Sequence, residues 1–448
     1  MSKKEKKITT QTMSEEEIKM NKYNEALVEI PGITVVSPMY GDMKITNRMV
    51  DSVLHQYISS AAPFKIHLVL VDDYLEKRGD NDESYYSYYE SEEFKEKYDS
   101  SKIKISIIKN KEHKYQGESR EIGFLAGDYD YFLLLDCDDM LAPNACDRYL
   151  HIIRDNYTKI DTPEYKKLAC IYGYLYGFDA YGFEQKIIGQ SIWVQSRCYS
   201  RDFCKKHGIH FPTGTNSRQG EDYPFIRMFD YALNHDDEYT AVKIDYEEGK
   251  DCQCTAYWFP NENSLSRKDP HYGQHLSGWT MNSSNKILDF FEDFNKKNGF
   301  EDQEDEYMKH ECLNMNVYAF YNLLDFLHEV ATTDYKPLEE DWYALRDAVY
   351  KLRLRLKNKY YDEIVYSDIE DMLYNVHHHS DCRFTESWIG TFYDYMKEKS
   401  FIFDLSYDEM IKYCKTLEFD GIGHELNAPY VKAWIKRHPQ SEEAKNGK

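Results

Sequence analysis

Residues 117–141 read GESREIGFLAGDYDYFLLLDCDDML. A short apolar run, Tyr131-Phe132-Leu133-Leu134-Leu135, ends abruptly on Asp136-Cys137-Asp138-Asp139. Unbroken apolarity over so few residues marks a strand buried on both faces, and the acids mark where it leaves the core. Upstream, Ser119 to Ala126 is predicted to be helical. The same pattern recurs towards the N-terminus. Ile33 to Pro38 (ITVVSP) is predicted to be a strand stopped by proline. Asn47 to Tyr57 places Met49, Val50, Val53, Leu54 and Tyr57 at helical spacing. Ile66 to Val71 is a second strand stopping at Asp72-Asp73, and Ile103 to Ile108 a third. Alternating strands and helices with apolar strands predict an α/β, Rossmann-like, mostly parallel sheet flanked by helices. Ligands of such sheets sit outside the carboxyl ends of the strands. Pro38 to Asp42, Asp72-Asp73 and Asp136 to Asp139 all fall there.

The rest of the chain is organised around this core. Residues 1–28 form a polar N-terminal arm. Residues 76–101 are an acidic, Tyr-rich insertion. Short strands are expected over 168–200. Gly208 to Asp222 (GIHFPTGTNSRQGED) is a polar loop ending on Glu221-Asp222, before a helix from Tyr223. Residues 285–448, rich in Glu, Lys, Leu and Tyr at helical spacing, are expected to form a mainly α-helical C-terminal domain. The sheet domain is then 29–280.

The 448 residues carry a formal net charge of −23. A whole-molecule grip on a phosphate backbone is disfavoured by that sign, since nucleic-acid binders present a basic field. The 10 Cys are scattered without a C-x-x-C pair, which suits reduced thiols in the cytoplasm. The N-terminal residues lack the apolar stretch of a signal peptide, and no run reaches the ~18 apolar residues of a membrane span.

Asp136-x-Asp138 after a buried strand can present carboxylates to one hard cation. Mg²⁺ and Mn²⁺ take one or two carboxylates together with substrate phosphates, and so neutralise a diphosphate leaving group. A solvated acidic turn or a helix cap gives the same letters. Glu221-Asp222 suits either the first turn of a helix or a carboxylate base. Arg120 suits either a diphosphate contact or an ion pair with Glu118 or Glu121. His377-His378-His379 is poor ligand geometry on a helix, and exposure is expected. His275 is expected to face solvent; His271 suits solvent or a metal.

Taken in order, ITVVSPMYGD, LVLVDD, GESREIGFLAGDYDYFLLLDCDDML and GEDYPF resemble family 2 glycosyltransferases of the GT-A fold. The stretch covers roughly residues 31–270, and the D-x-D element sits where that family places it. The resemblance implies a metal-dependent, inverting transfer of a sugar from a nucleotide sugar, with a UDP-sugar as donor and a hydroxyl of a glycan or other biopolymer as acceptor. By position, Pro38, Tyr40 and Asp42 would line the base pocket, and Asp72 or Asp73 would hold base or ribose. Arg120 would approach the diphosphate, Asp136 the ribose or sugar, and Asp138 the Mn²⁺ or Mg²⁺, with His271 completing the metal site. Asp222 would be the catalytic base, with Glu221 supporting it or the donor sugar. Ala256 to Arg267 resembles the segment that follows the donor site. SREIGF departs from the family's ARN-x-G, with Glu121 in place of Asn. Nothing resembles residues 285–448, for which acceptor recognition, homo-oligomerisation and partner docking are open. Modified DNA bases are an alternative acceptor, and a non-catalytic sugar- or partner-binding module an alternative function. A nucleotidyltransferase would need a Gly-rich, basic loop after the first strand, which SPMYGDMKITNR lacks.

Overall fold

The computed structural model describes residues 19–22, 32–40, 43–57, 64–73, 91–98, 103–178, 184–188, 194–213, 221–244, 254–259, 272–299, 330–332, 336, 338–359 and 400–418. The chain divides into two compact units. The first is 1–213 with 232–261, and the second is 214–231 with 262–448.

The first unit is built on β1 (Gly32–Met39), β2 (Lys65–Asp72), β3 (Ile103–Lys109) and β4 (Tyr131–Leu134). All are parallel: β1 pairs with β2 and β4, and β2 with β3. Beyond β4 the sheet continues through β9 (Arg197–Ser200), β6 (Lys167–Tyr172) and β10 (Tyr239–Lys243), in the order β10-β6-β9-β4-β1-β2-β3. β9 is the one antiparallel member of this seven-stranded sheet. Pro38 is tolerated in a central strand because β4 stops pairing with β1 at Val36, so the missing N–H leaves no gap in that ladder.

Every residue of β1 is buried, Thr34 and Ser37 among them, as expected of a strand covered on both faces. Ile33, Val35 and Met39 share one core with Met49, Val50 and Val53 of α1 (Met43–Leu54), and with Tyr149, Leu150 and Ile153 of α4 (Ala145–Tyr157). Val36 and Val71 carry the opposite face, where α3 (Tyr115–Ala126) packs. Gly123 of α3 permits this approach, since a Cβ there would collide with Val36 Cγ1. The helix α2 (Glu92–Tyr98) is the described part of the acidic insertion. The short helix α5 (Arg201–His207) is capped by Ser200 and closed by Gly208 at φ 69°.

A second sheet, in the order β5-β11-β7-β8, joins β5 (Met140–Leu141), β7 (Leu175–Phe178), β8 (Glu184–Ile188) and β11 (Ala256–Trp258). The acidic turn therefore lies where the chain passes from β4 of one sheet to β5 of the other. Ser52 Oγ accepts from the Leu141 N–H at 3.0 Å, and Gln56 brackets Ala142 and Cys146. These bonds fasten the turn from behind.

In the second unit, α6 (Asp222–Asn234) contributes Tyr231, whose ring stacks on Phe291 at 3.8 Å. Its hydroxyl donates to Asn295 Oδ1 at 2.8 Å. Both partners lie on α7 (Tyr272–Asn298). The helix α8 (Glu339–Lys359) is tied by Trp342 Nε1 to the Leu405 carbonyl, ahead of the capping box that opens α9 (Tyr407–Cys414). Among the described residues, no helix is long and apolar enough to cross a membrane, and the seven cysteines are free thiols.

Candidate functional site

Asp73 sets the geometry at the end of β2. Its Oδ1 accepts from the Lys114 backbone N–H at 2.6 Å and from Asn110 Nδ2 at 3.2 Å, while Oδ2 lies 2.7 Å from His113 Nδ1. Burial alone would raise its pKa. The His113, Lys114 and Asn110 contacts overcome burial and hold the carboxyl below its ordinary range. Asp72 is buried in register with Met39 and Lys109. Tyr40, half exposed, stacks on His113 at 4.6 Å, and His113 meets Tyr115 at 4.0 Å. Tyr115 adopts φ 64°, a left-handed conformation that costs a non-glycine residue about 1–2 kcal/mol. That strain is held where the loop tied to Asp73 turns into α3.

The start of α3 fixes what its first turn presents. Gln116 and Arg120 are four residues apart and so share one face of the helix. Both reach Asp136 Oδ1, Arg120 Nη2 at 2.7 Å and Gln116 Nε2 at 3.2 Å. Gln195 Nε2 takes Asp136 Oδ2 at 2.5 Å. Three side-chain donors from two segments thus engage both oxygens of one carboxylate. Arg120, only 2% exposed, pairs with Asp136 rather than with Glu118 or Glu121. Glu118 instead pairs with Lys114 at 2.8 Å.

The rest of the turn differs acid by acid. Asp139 N–H bonds back to the Asp136 carbonyl at 3.1 Å, closing a tight turn over Cys137 and Asp138. Asp138 is partly exposed, and its carbonyl accepts from Arg48, whose guanidinium lies 3.9 Å over the Phe259 ring. Asp139 is buried and accepts from the Phe259 N–H at 3.1 Å. Burial first, then the neighbouring Asp136 and Asp138, push its pKa well above the ordinary carboxylate value.

Residues 34–217 match the family model described as glycosyl transferase family 2. This segment belongs to glycosyl transferase family 2. No curated protein matches the chain. Among solved structures, that of S. aureus TarS 1-349 in complex with UDP-GlcNAc is similar at 13% identity and a TM-score of 0.50. The match spans 82% of this chain and 91% of that one. A second structure of S. aureus TarS 1-349 gives 0.46 at the same identity and coverage. The mannosyltransferase PcManGT of Pyrobaculum calidifontis, in complex with GDP-Man and Mn²⁺, gives 0.34 at 9% identity, over 89% of this chain and 94% of that one. At such identities the likeness is one of fold, and the TarS 1-349 complex agrees with the seven-stranded GT-A sheet described above.

Within the glycosyltransferase domain, strand register brings Pro38, Tyr40, Asp72, Asp73, Asp136 and Asp138 to one rim, at the carboxyl ends of β1, β2 and β4, and α3 brings Arg120 to Asp136 there. Glu221 and Asp222 belong to the second unit, where Glu221 is buried and Asp222 opens α6. Asp42, His271, His377, His378 and His379 lie outside the described residues, as does 260–267 of the Ala256 to Arg267 segment. Glu121 turns towards residues 210–211. It accepts from the Phe211 N–H at 2.9 Å and pairs with His210 Nδ1 at 2.8 Å. The carboxylate of SREIGF thus anchors the start of the polar loop.

Sequence reasoning missed Gln116, Gln195, His113 and Phe259. Gln116 sits one turn before Arg120 and was open to a helical-spacing argument. The other three are brought in by folding from other segments.

The donor set fits a hard divalent cation. Asp138 offers one carboxylate at a partly exposed turn, whereas Asp136 spends both of its oxygens on protein donors. One carboxylate with substrate phosphates and water is how such ions are commonly held. Among the described residues, no cluster of three or more His, Cys, Asp or Glu forms a protein-only metal cage.

Proposed function

We propose that this protein is an inverting glycosyltransferase that moves a sugar from a UDP-sugar to a hydroxyl of a glycan or other biopolymer, in the cytoplasm. The observation that carries the reading is the division of labour within one turn. Asp136 is immobilised through both oxygens, while Asp138 is partly exposed at the carboxyl end of β4, where ligands of parallel sheets bind.

Tyr40 offers its exposed ring for a base, with Pro38, Asp42, Asp72 and Asp73 shaping the pocket around it. Arg120 acts through Asp136, fixing the carboxylate against the ribose or sugar. Asp138, with His271, would hold Mg²⁺ or Mn²⁺, which when bound neutralises the departing diphosphate. Asp222 takes the proton from the acceptor hydroxyl, which attacks the anomeric carbon from the face opposite the leaving group, and Glu221 supports it. Residues 285–448 are open to acceptor recognition or self-association.

Donor hydrolysis by the full chain, measured across UDP-, GDP- and CDP-sugars with Mn²⁺ and with EDTA, tests this. One sugar nucleotide should turn over, and only with the cation. Asp222→Asn should slow it roughly 10²–10⁴-fold, the usual yield of a general base, without shifting the melting temperature. Undiminished turnover in that variant would remove Asp222 from the role, and no turnover of any donor would remove the function.

A further inference from the structure

Gln195 lies on the short 3₁₀ turn Val194–Ser196, just before β9. The turn is held firmly. The Ser196 carbonyl accepts from the Gly173 N–H at 2.6 Å and from the Tyr149 hydroxyl at 3.3 Å. Gln195 is 6% exposed, so its amide is as buried as a core side chain.

The orientation of that amide follows from chemistry. The Gln195 Nε2 donates to Asp136 Oδ2 at 2.5 Å, alongside the Arg120 guanidinium on Oδ1, so the end of Gln195 that meets Asp136 is the NH₂. The carbonyl Oε1 is then directed away from Asp136. It is buried, and it has no hydrogen-bond partner among the described residues. A buried acceptor left unsatisfied is destabilising, so such atoms call for an explanation in strain, water or ligand. Here the orphan atom belongs to a side chain bonded to the acid that faces the donor rim. Asp136 already accepts three bonds of the about four that a carboxylate can take. Gln195 Oε1 is a buried acceptor beside it that no described residue satisfies.

We propose that Gln195 is a specificity-determining residue of the donor site, its amide oxygen accepting a hydrogen bond from a hydroxyl of the bound nucleotide sugar. The inference rests on the rim of Asp136 being the donor site. It adds that the pair Gln195–Asp136 distinguishes hydroxylated from deoxy ligands. A ribose hydroxyl and a sugar hydroxyl offer the same donor chemistry, and the choice of probe separates them.

The experiment uses the full chain with Mn²⁺ and measures dissociation constants for UDP, 2′-deoxy-UDP, 3′-deoxy-UDP and UDP-glucose by calorimetry. Gln195→Lys keeps a donor towards Asp136 and removes the acceptor. Gln195→Met, uncharged and of similar length, serves if the lysine variant does not fold. In the wild type, loss of the recognised hydroxyl should weaken binding roughly 3- to 10-fold, the value of one neutral hydrogen bond. In either variant that penalty should disappear. If ribose is read, one deoxy probe shows this. If the sugar is read, both deoxy probes behave like UDP, and the preference for UDP-glucose over UDP falls in the variants. Equal penalties and equal preferences in wild type and variants overturn the assignment of Gln195 alone. Failure of the wild type to bind any of the four probes overturns the donor-site reading, and this inference with it.

Discussion

Asp73 and Asp139 are both buried carboxylates at the same edge of the same sheet, yet their charge is pulled in opposite directions. Asp73 faces two N–H donors and an imidazole; Asp139 faces one backbone N–H and two other acids, with the Arg48 cation as a smaller opposing influence. Burial disfavours the charged form of both. What decides the outcome is the number and sign of the partners. The rim therefore has a fixed anionic post at β2 and, beside the partly exposed Asp138, a carboxyl biased towards neutrality. That arrangement limits repulsion within Asp136 to Asp139.

One substitution made at both positions separates the two cases. Asp73→Asn should be the costlier, at about 1.5–3 kcal/mol, the worth of hydrogen bonds to a charged group. Its NH₂ has to face Asn110, His113 or the Lys114 N–H, all of which donate or carry protons. The expected readout is a fall in the melting temperature of the full chain at pH 7. Its pH dependence has a definite sign. A carboxyl with a lowered folded pKa contributes stability that is present above its unfolded value of about 3.9, and lost as pH falls through the folded value. Wild type and Asp73→Asn should therefore converge on acidification. A gap that stays constant from pH 7 down to pH 3 would show that the carboxylate's charge contributes nothing.

The second perturbation acts on Gln195, at the other end of the Asp136 clamp. A Cβ on Gly173 would meet Thr255 Oγ1 and the Tyr149 hydroxyl, which are part of the scaffold beneath the Val194–Ser196 turn. Gly173→Ala should destabilise the chain by about 1–2 kcal/mol, the lower part of the usual cost of overpacking. An unchanged melting temperature would mean that the turn shifts at no cost.

The contrast between Asp73 and Asp139 also marks how far the residues could be read before the structure. Strand ends were legible, because buried parallel strands are apolar throughout and acids at their ends have few roles. Hence Pro38, Asp72, Asp73, Asp136 and Asp138 fall where spacing puts them. Partners were not legible. Asp136 and Gln195 are 59 positions apart, Asp139 and Phe259 120. No periodicity links a 3₁₀ turn or a second small sheet to the end of β4. Arg120 shows the limit most plainly. Local spacing left it open to a diphosphate contact or to an ion pair with Glu118 or Glu121, but a helix whose first turn is set by Asp73 points the guanidinium into the core, towards Asp136.

Asp139→Asn gives the smallest effect and the sharpest contrast. The amide oxygen can keep the bond from the Phe259 N–H, and the amide nitrogen brings a donor to a place where Asp136 and Asp138 offer only acceptors. A residue already biased towards its neutral form loses little when made permanently neutral. The melting temperature, measured in EDTA at pH 7, should therefore stay equal to wild type or rise, within about 1 kcal/mol, the net worth of one ordinary hydrogen bond. A loss as large as that of Asp73→Asn would mean that Asp139 is ionised and needed as an anion. The two acids would then be alike, and the rim would carry its charge at both strand ends.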